Sequence, residues 1–265
     1  MGHNGPTSCR RGTELITYEY PLNEKVRTLL RLEDLYERLE YFVSGDDPRA
    51  HHAALCVLFD IVDVATRADL KSELLQELER QRSVLDALRS NPAVSVKSLN
   101  AVLDEIEATA AVLLASAGKF AQHVRDSEWL SLIRQRASLP GGLCEFDLPA
   151  YHFWLNADAA ARRRDLDAWL EPMRPIYNAL RIVLRLLRES ADPVQAVAHK
   201  GVYQQGPAGR VAQMVCIRVP RQFACVPEIS ANKYALNVRF LHPARDERSQ
   251  VYEQDVAFSL TLCNL

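Results

Sequence analysis

The chain has 265 residues, of which 48% are hydrophobic and 25% charged, with a formal net charge of -2. That length and balance suit a soluble globular protein with a substantial core. They exclude a chain built as a whole to coat nucleic acid or an anionic membrane, although local basic patches stay open. Met1 to Gly12 is polar and has no apolar core of a signal peptide. The longest apolar stretches, such as Ala110 to Ala117, are far too short to span a bilayer. Residence in the cytoplasm is the resulting expectation.

In chain order, the segment up to residue 13 is expected to be a disordered tail. Glu14 to Tyr20 (ELITYEY) alternates and is rich in β-branched and aromatic residues, so it reads as a strand that Pro21 ends. Leu22, Val26, Leu29, Leu32, Tyr36, Leu39 and Val43 recur at steps of three and four, the stripe of a long helix that Gly45 stops. Asp47-Pro48 then supplies an N-cap and a first-turn proline for a second helix through Leu55, Leu58, Phe59 and Val62. A third helix carries Leu70, Leu74, Leu78, Leu85 and Leu88 with a charged opposite face, and Asn91-Pro92 breaks it. A fourth starts near Ser95 or Ser98, carries Leu99, Leu103, Ile106 and Leu113, and closes at Gly118. Shorter helices are predicted over Glu128 to Ala137 and Pro149 to Leu155, and a long one over Pro172 to Ser190. Its outer face holds Arg174, Arg181, Arg185 and Arg188, read as a solvated stripe.

After Asp192-Pro193 the texture becomes β-rich. Gly201 to Gln205, Val211 to Val219, Val226 to Ile229, Tyr234 to Leu241 and Val251 to Leu262 are short runs separated by turn residues. The fold class expected is α+β: a mostly helical domain, residues 22–192, followed by a small antiparallel β-sheet domain, residues 195–265, which the N-terminal strand (14–21) joins.

Chemistry is hard to find in the sequence. There is no phosphate-binding glycine loop. Cys9, Cys56, Cys144, Cys216, Cys225 and Cys263 are scattered without close pairs, so they read as reduced, mostly buried thiols and no metal or cofactor is expected. His51 and His52 diverge by about 100° on a helix and read as isolated, solvated side chains. Leu139 to Pro149 (LPGGLCEFDLP) could be an anion nest or a nucleophile loop around Cys144. It reads instead as a tight turn, because Glu145 and Asp147 beside Cys144 disfavour a thiolate. The chain is not expected to be an enzyme.

The β-rich part has its own charge balance. From Gln195 onward eight bases stand against five acids, about +3 in a chain that is -2 overall. Strand alternation puts Lys233, Ala235, Asn237 and Arg239 on one face and Tyr234, Leu236, Val238 and Phe240 on the other. Such a face could hold an acidic peptide by charge-assisted hydrogen bonds, or be no more than a soluble surface. A nucleic-acid-binding module is the alternative. Few aromatics between the bases and a negative total charge speak against it.

Four stretches share one resemblance. Ile133 to Leu155 (IRQRASLPGGLCEFDLPAYHFWL) resembles the central signature of the ZapD family of bacterial division proteins. Tyr20 to Thr28 (YPLNEKVRT), Arg67 to Gln81 (RADLKSELLQELERQ) and Pro227 to Phe240 (PEISANKYALNVRF) are similar to further motifs of that family, in the same order. The resemblance implies a helical domain plus a β domain and a symmetric homodimer. It also implies a cytoplasmic partner of FtsZ, found at midcell with the Z-ring, that binds the C-terminal tail of FtsZ and bundles its filaments. Nucleic acid and membrane are not implied as partners. The tail contact carries over onto Arg67, Lys233 and Arg239, which lie in matched motifs; position 235 is Ala here, where family members can have a base.

Overall fold

A computed structural model describes residues 15–65, 69–92, 94–116, 118–206, 212–232, 235–243 and 250–265. The expected N-terminal tail lies outside the described residues. The chain separates into two units, one of residues up to Arg27 together with Leu186–Leu265, the other of Thr28–Arg185. The class is α+β.

The helical unit follows from the apolar periods. In α1 (Glu24–Ser44) Leu29, Leu32, Tyr36 and Leu39 are buried, the stripe read from the sequence. The second helix, α2 (Pro48–Ala65), starts where Asp47 accepts a hydrogen bond from the Arg49 amide at 2.7 Å, and it buries Leu55, Leu58, Ile61 and Val62. A hairpin follows, of α3 (Leu70–Asp86) and α4 (Val96–Ala115). Ser95 caps α4 by accepting from the Ser98 amide at 3.4 Å. Next come α5 (Gln122–Asp126), α6 (Glu128–Ala137), α7 (Pro149–Leu155), α8 (Ala159–Leu170) and α9 (Arg174–Arg188).

Neither α5 nor α8 is expected from the sequence. The apolar stripe of α8 is interrupted because one of its inward positions is Arg162, which is buried. A charged residue at an inward position defeats a reading based on apolar period. The cap that starts α8 is nonetheless ordinary: Asp158 accepts from the Ala161 amide at 2.8 Å.

The stripe of α9 faces solvent as expected, with Arg174 and Arg181 exposed and Arg185 and Arg188 half-exposed, and its members also find partners. Within the helical unit Arg174 pairs with Asp167 and Glu171, Arg185 pairs with Glu105 at 2.5 Å, and Arg181 lies over the Tyr177 ring at 5.5 Å. In the other unit Arg188 binds Glu19 through two nitrogens, at 2.7 and 2.8 Å. Acids of neighbouring elements pair with Arg174, Arg185 and Arg188, partners that the sequence alone does not show.

The β unit holds β1 (Leu15–Pro21), β2 (Val194–Ala198), β3 (Val202–Gln205), β4 (Met214–Pro220), β5 (Val226–Ala231), β6 (Leu236–Leu241) and β7 (Val256–Cys263). The N-terminal strand does join the C-terminal strands, pairing with β4 from Leu15 opposite Pro220 to Pro21 opposite Met214. The strands form two antiparallel sheets where one was expected, ordered β1-β4-β7-β2 and β3-β6-β5. A sharp turn at Lys200–Gly201 separates them, with both residues at positive φ. A Cβ at Gly201 would stand 2.1 Å from the Tyr252 carbonyl oxygen, so glycine alone fits. The sheets pack face to face over Val215, Ile217, Val238, Phe240, Phe258 and Leu260, with the Phe240 and Phe258 rings 5.1 Å apart.

Candidate partner-binding face

Of the three residues assigned to the partner contact, Arg239 is described, while Arg67 and Lys233 lie outside the described residues. Only the surroundings of Arg239 therefore fall within the described residues. Arg239 sits on β6, the central strand of the three-stranded sheet. Alternation places Val238 and Phe240 in the core and leaves Arg239 exposed, as the sequence pattern predicts.

Register supplies its neighbours. Arg239 stands opposite Val202 on β3 and Glu228 on β5, and the next row of the same face is Gln204, Asn237 and Ser230. The Arg239 guanidinium meets the Glu228 carboxylate at 3.6 Å, with both side chains about half exposed (52% and 56%). An exposed pair at that distance contributes ~0–1 kcal/mol and is screened by salt, so an incoming carboxylate can replace Glu228. Glu228 falls inside the matched strand motif, but only strand register reveals that it faces Arg239. Of the eight bases counted after Gln195, Lys200, Arg218, Arg221 and Arg239 are described. Three of the five acids, Glu228, Glu253 and Asp255, are described too. Asp255 accepts from the Lys200 amide at 2.9 Å and meets the His199 ring at 3.1 Å, contacts that hold its carboxyl below the usual carboxylate range.

The other motif-bearing segment is structural. At the P-G-G turn Gly141 is at positive φ, and a Cβ on Gly142 would lie 2.5 Å from the Arg136 carbonyl oxygen. The carbonyl of Cys144 accepts from the Asp147 and Leu148 amides, both at 3.0 Å, which turns the chain into α7. Tyr151 and Trp154 of α7 pack with Trp129 of α6 and Trp169 of α8, at ring separations of 5.4–6.1 Å.

The two histidines on α2 correct the sequence reading. His51 is buried, its Nε2 2.8 Å from the Gly45 carbonyl and its Nδ1 accepting from Arg162. His52 is half-buried, with Nδ1 2.8 Å from the Tyr151 hydroxyl. Burial holds both rings below the ordinary histidine range. Tertiary contacts from α7 and α8, remote in sequence, occupy positions that looked like solvent. The described cysteines are unpaired thiols, and Cys216, Cys225 and Cys263 are buried. Burial raises Cys56, Cys216 and Cys225 above the ordinary thiol range and Cys263 to about 11. Among the described residues no group of three or more His, Cys, Asp or Glu could hold a metal ion. No helix among them is long and apolar enough to cross a membrane.

These observations define an α+β protein of two units, one a helical body and the other a double-sheet β unit with a polar outer face. A family model described as cell division protein ZapD matches residues 30–239. "Cell division protein ZapD" of Azoarcus sp. strain BH72 is 55% identical over 251 residues, 95% of this chain and 100% of the relative. The proteins of that name from Aromatoleum aromaticum and Nitrosomonas eutropha are 53% and 49% identical, covering 96% and 95% of this chain and 100% of each relative. The chain belongs to the ZapD family of cell division proteins.

Proposed function

We propose that this division protein binds the C-terminal tail of FtsZ, a short acidic and apolar segment, and cross-links FtsZ filaments as a symmetric homodimer. In this reading residues 22–192 form the helical domain, and residues 14–21 with 195–265 the β domain that carries the tail site. It works without catalysis or cofactor, in the cytoplasm at midcell with the Z-ring. Arg239 carries the reading. It is a guanidinium on the exposed face of a central strand, beside an apolar Val202 and held by an exchangeable carboxylate. A tail carboxylate would take the place of Glu228 on Arg239, and Lys233 and Arg67 would add the further bases that the family resemblance assigns.

Two such sites on one dimer gain avidity because tails are concentrated along a polymer, so weak single contacts suffice for bundling. The experiment is co-sedimentation with FtsZ polymers. The Lys233→Glu, Arg239→Glu double variant should lose co-sedimentation while staying a dimer, and FtsZ without its tail should fail to bring down the wild type. Undiminished co-sedimentation of the double variant would remove the site from this face.

A further inference from the structure

The two sheets of the β unit have four outer strands, β1 and β2 in one and β3 and β5 in the other. An outer strand leaves N–H and C=O groups open to pairing with another chain, and a charge or a proline on it hinders that pairing. Two of the four are guarded in this way: β1 carries Glu19 and Pro21, and β5 carries Pro227 and Glu228. The other two, β2 (VQAVA) and β3 (VYQQ), have neither charge nor proline. Opposite β2 stand Ser259 and Ala257, which offer no charge, whereas β3 has Arg239 opposite Val202.

Hydrogen bonding shows which groups of β3 are open. The Phe240 amide donates to the Gly201 carbonyl at 2.7 Å, so Phe240 and, two residues back, Val238 turn their N–H groups toward β3. Tyr203, opposite Val238, therefore spends its N–H and C=O on β6, and Val202 and Gln204 point theirs out of the edge. The Val202 amide donates to the His199 carbonyl at 3.0 Å. The Val202 carbonyl and both backbone groups of Gln204 have no backbone partner among the described residues. Val202 is 49% exposed, and Gln204 is exposed as well.

We propose that the acidic, apolar tail of FtsZ binds as an added strand along this edge of β3. The proposal rests on the reading of Arg239 above and says how the tail lies. Two tail amides would donate to the Val202 and Gln204 carbonyls, and one tail carbonyl would accept from the Gln204 amide. Neighbouring strands lie about 4.8 Å apart, so the tail would run about 10 Å from β6. An arginine and an acidic side chain reaching toward one another over Val202 cover that span. Arg239 thereby turns from Glu228 on one side of β6 to the tail on the other. Alternation puts every second tail residue on this face, where a carboxylate meets the guanidinium and an apolar neighbour covers Val202. Backbone pairing supplies affinity, and the carboxylate fixes the register.

The test is binding of a fluorescent FtsZ tail peptide to the full chain, read by anisotropy, with a series of peptides each N-methylated at one residue. On an added strand, N-methylation should weaken binding about tenfold at two residues separated by one, and little at the residue between them. Gln204→Pro removes an N–H that β6 does not use and should weaken the unmodified peptide about tenfold, with unchanged circular dichroism. Binding that is lost in Arg239→Glu but indifferent to N-methylation would overturn the added strand and leave the tail site standing. A peptide that binds Arg239→Glu as well as the wild type, or fails to bind the wild type, would overturn both. If Gln204→Pro loses structure, the methylation series decides.

Discussion

The Arg162 guanidinium donates through Nε to Nδ1 of His51 at 2.8 Å, although 111 positions separate the two residues and both are buried. The remaining Arg162 nitrogens reach the carbonyls of Leu155, Ala157 and Asp46. One charged side chain thus ties the α1–α2 turn, α2 and the α7–α8 turn together through neutral acceptors. The bond also sets the His51 tautomer. Nδ1 must accept, so Nε2 carries the proton and donates to the Gly45 carbonyl.

A pH dependence follows from that tautomer. Protonating His51 would set a second donor against Arg162. Burial, with Arg162 and Arg163 nearby, holds the ring below its ordinary value of 6.5. The unfolded chain therefore binds a proton first as pH falls. The stability from this contact is complete above pH 6.5 and is lost as pH drops through the lowered folded value. Urea unfolding midpoints should fall below pH 6.5, and less steeply in His51→Gln.

Removing the guanidinium leaves several buried acceptors without donors. Arg162→Met should cost about 3–5 kcal/mol. Arg162→Lys should recover only part, because an ammonium cannot reach carbonyls on two turns and the imidazole together. Thermal unfolding of both variants beside the wild type checks the order.

Gly201→Ala tests the turn between the sheets. A methyl group there meets the Tyr252 carbonyl, and the backbone is at a φ of 73°. The Gly201 carbonyl also accepts from the Phe240 amide at 2.7 Å, so the turn cannot move without loosening β6. A loss of about 2–4 kcal/mol is expected. Hydrogen exchange should quicken first at the Phe240 and Tyr252 amides.

Neutralising Glu228 releases Arg239. In the proposed reading, Glu228→Gln removes the carboxylate that an acidic tail would have to displace. Affinity for the FtsZ tail peptide should rise about two- to fivefold at low salt, with a smaller gain at high salt. Titration by fluorescence anisotropy at two ionic strengths reads both effects, and weaker binding would mean that Glu228 positions Arg239 for the ligand.

All three tryptophans of the chain, Trp129, Trp154 and Trp169, lie in one cluster of the helical unit. Tryptophan emission should therefore follow the unfolding of that unit and be silent to the β unit. Trp154→Phe also deletes the bond from Nε1 to Asp165 at 2.9 Å and should cost about 1 kcal/mol. Emission and far-ultraviolet circular dichroism recorded together will separate the two transitions if Gly201→Ala weakens the β unit alone.

Much of this protein was legible in its sequence because the signals are local. The α1 stripe, the Asp47 and Ser95 caps and the alternation that exposes Arg239 each depend on residues a few positions apart. The family resemblance, too, lies in contiguous motifs. What depended on distant residues was not legible. The Arg162–His51 bond hid both a helix and a buried histidine, because Arg at an inward position looks like surface until its acceptors are known. The division of the strands into two sheets depends on which distant strands pair, β2 with β7 and β3 with β6. Glu228 became the neighbour of Arg239 only through strand register. Period and capping are set by a helix or strand on its own, whereas the pairing of charges and the stacking of sheets are settled only when distant segments meet and desolvate one another.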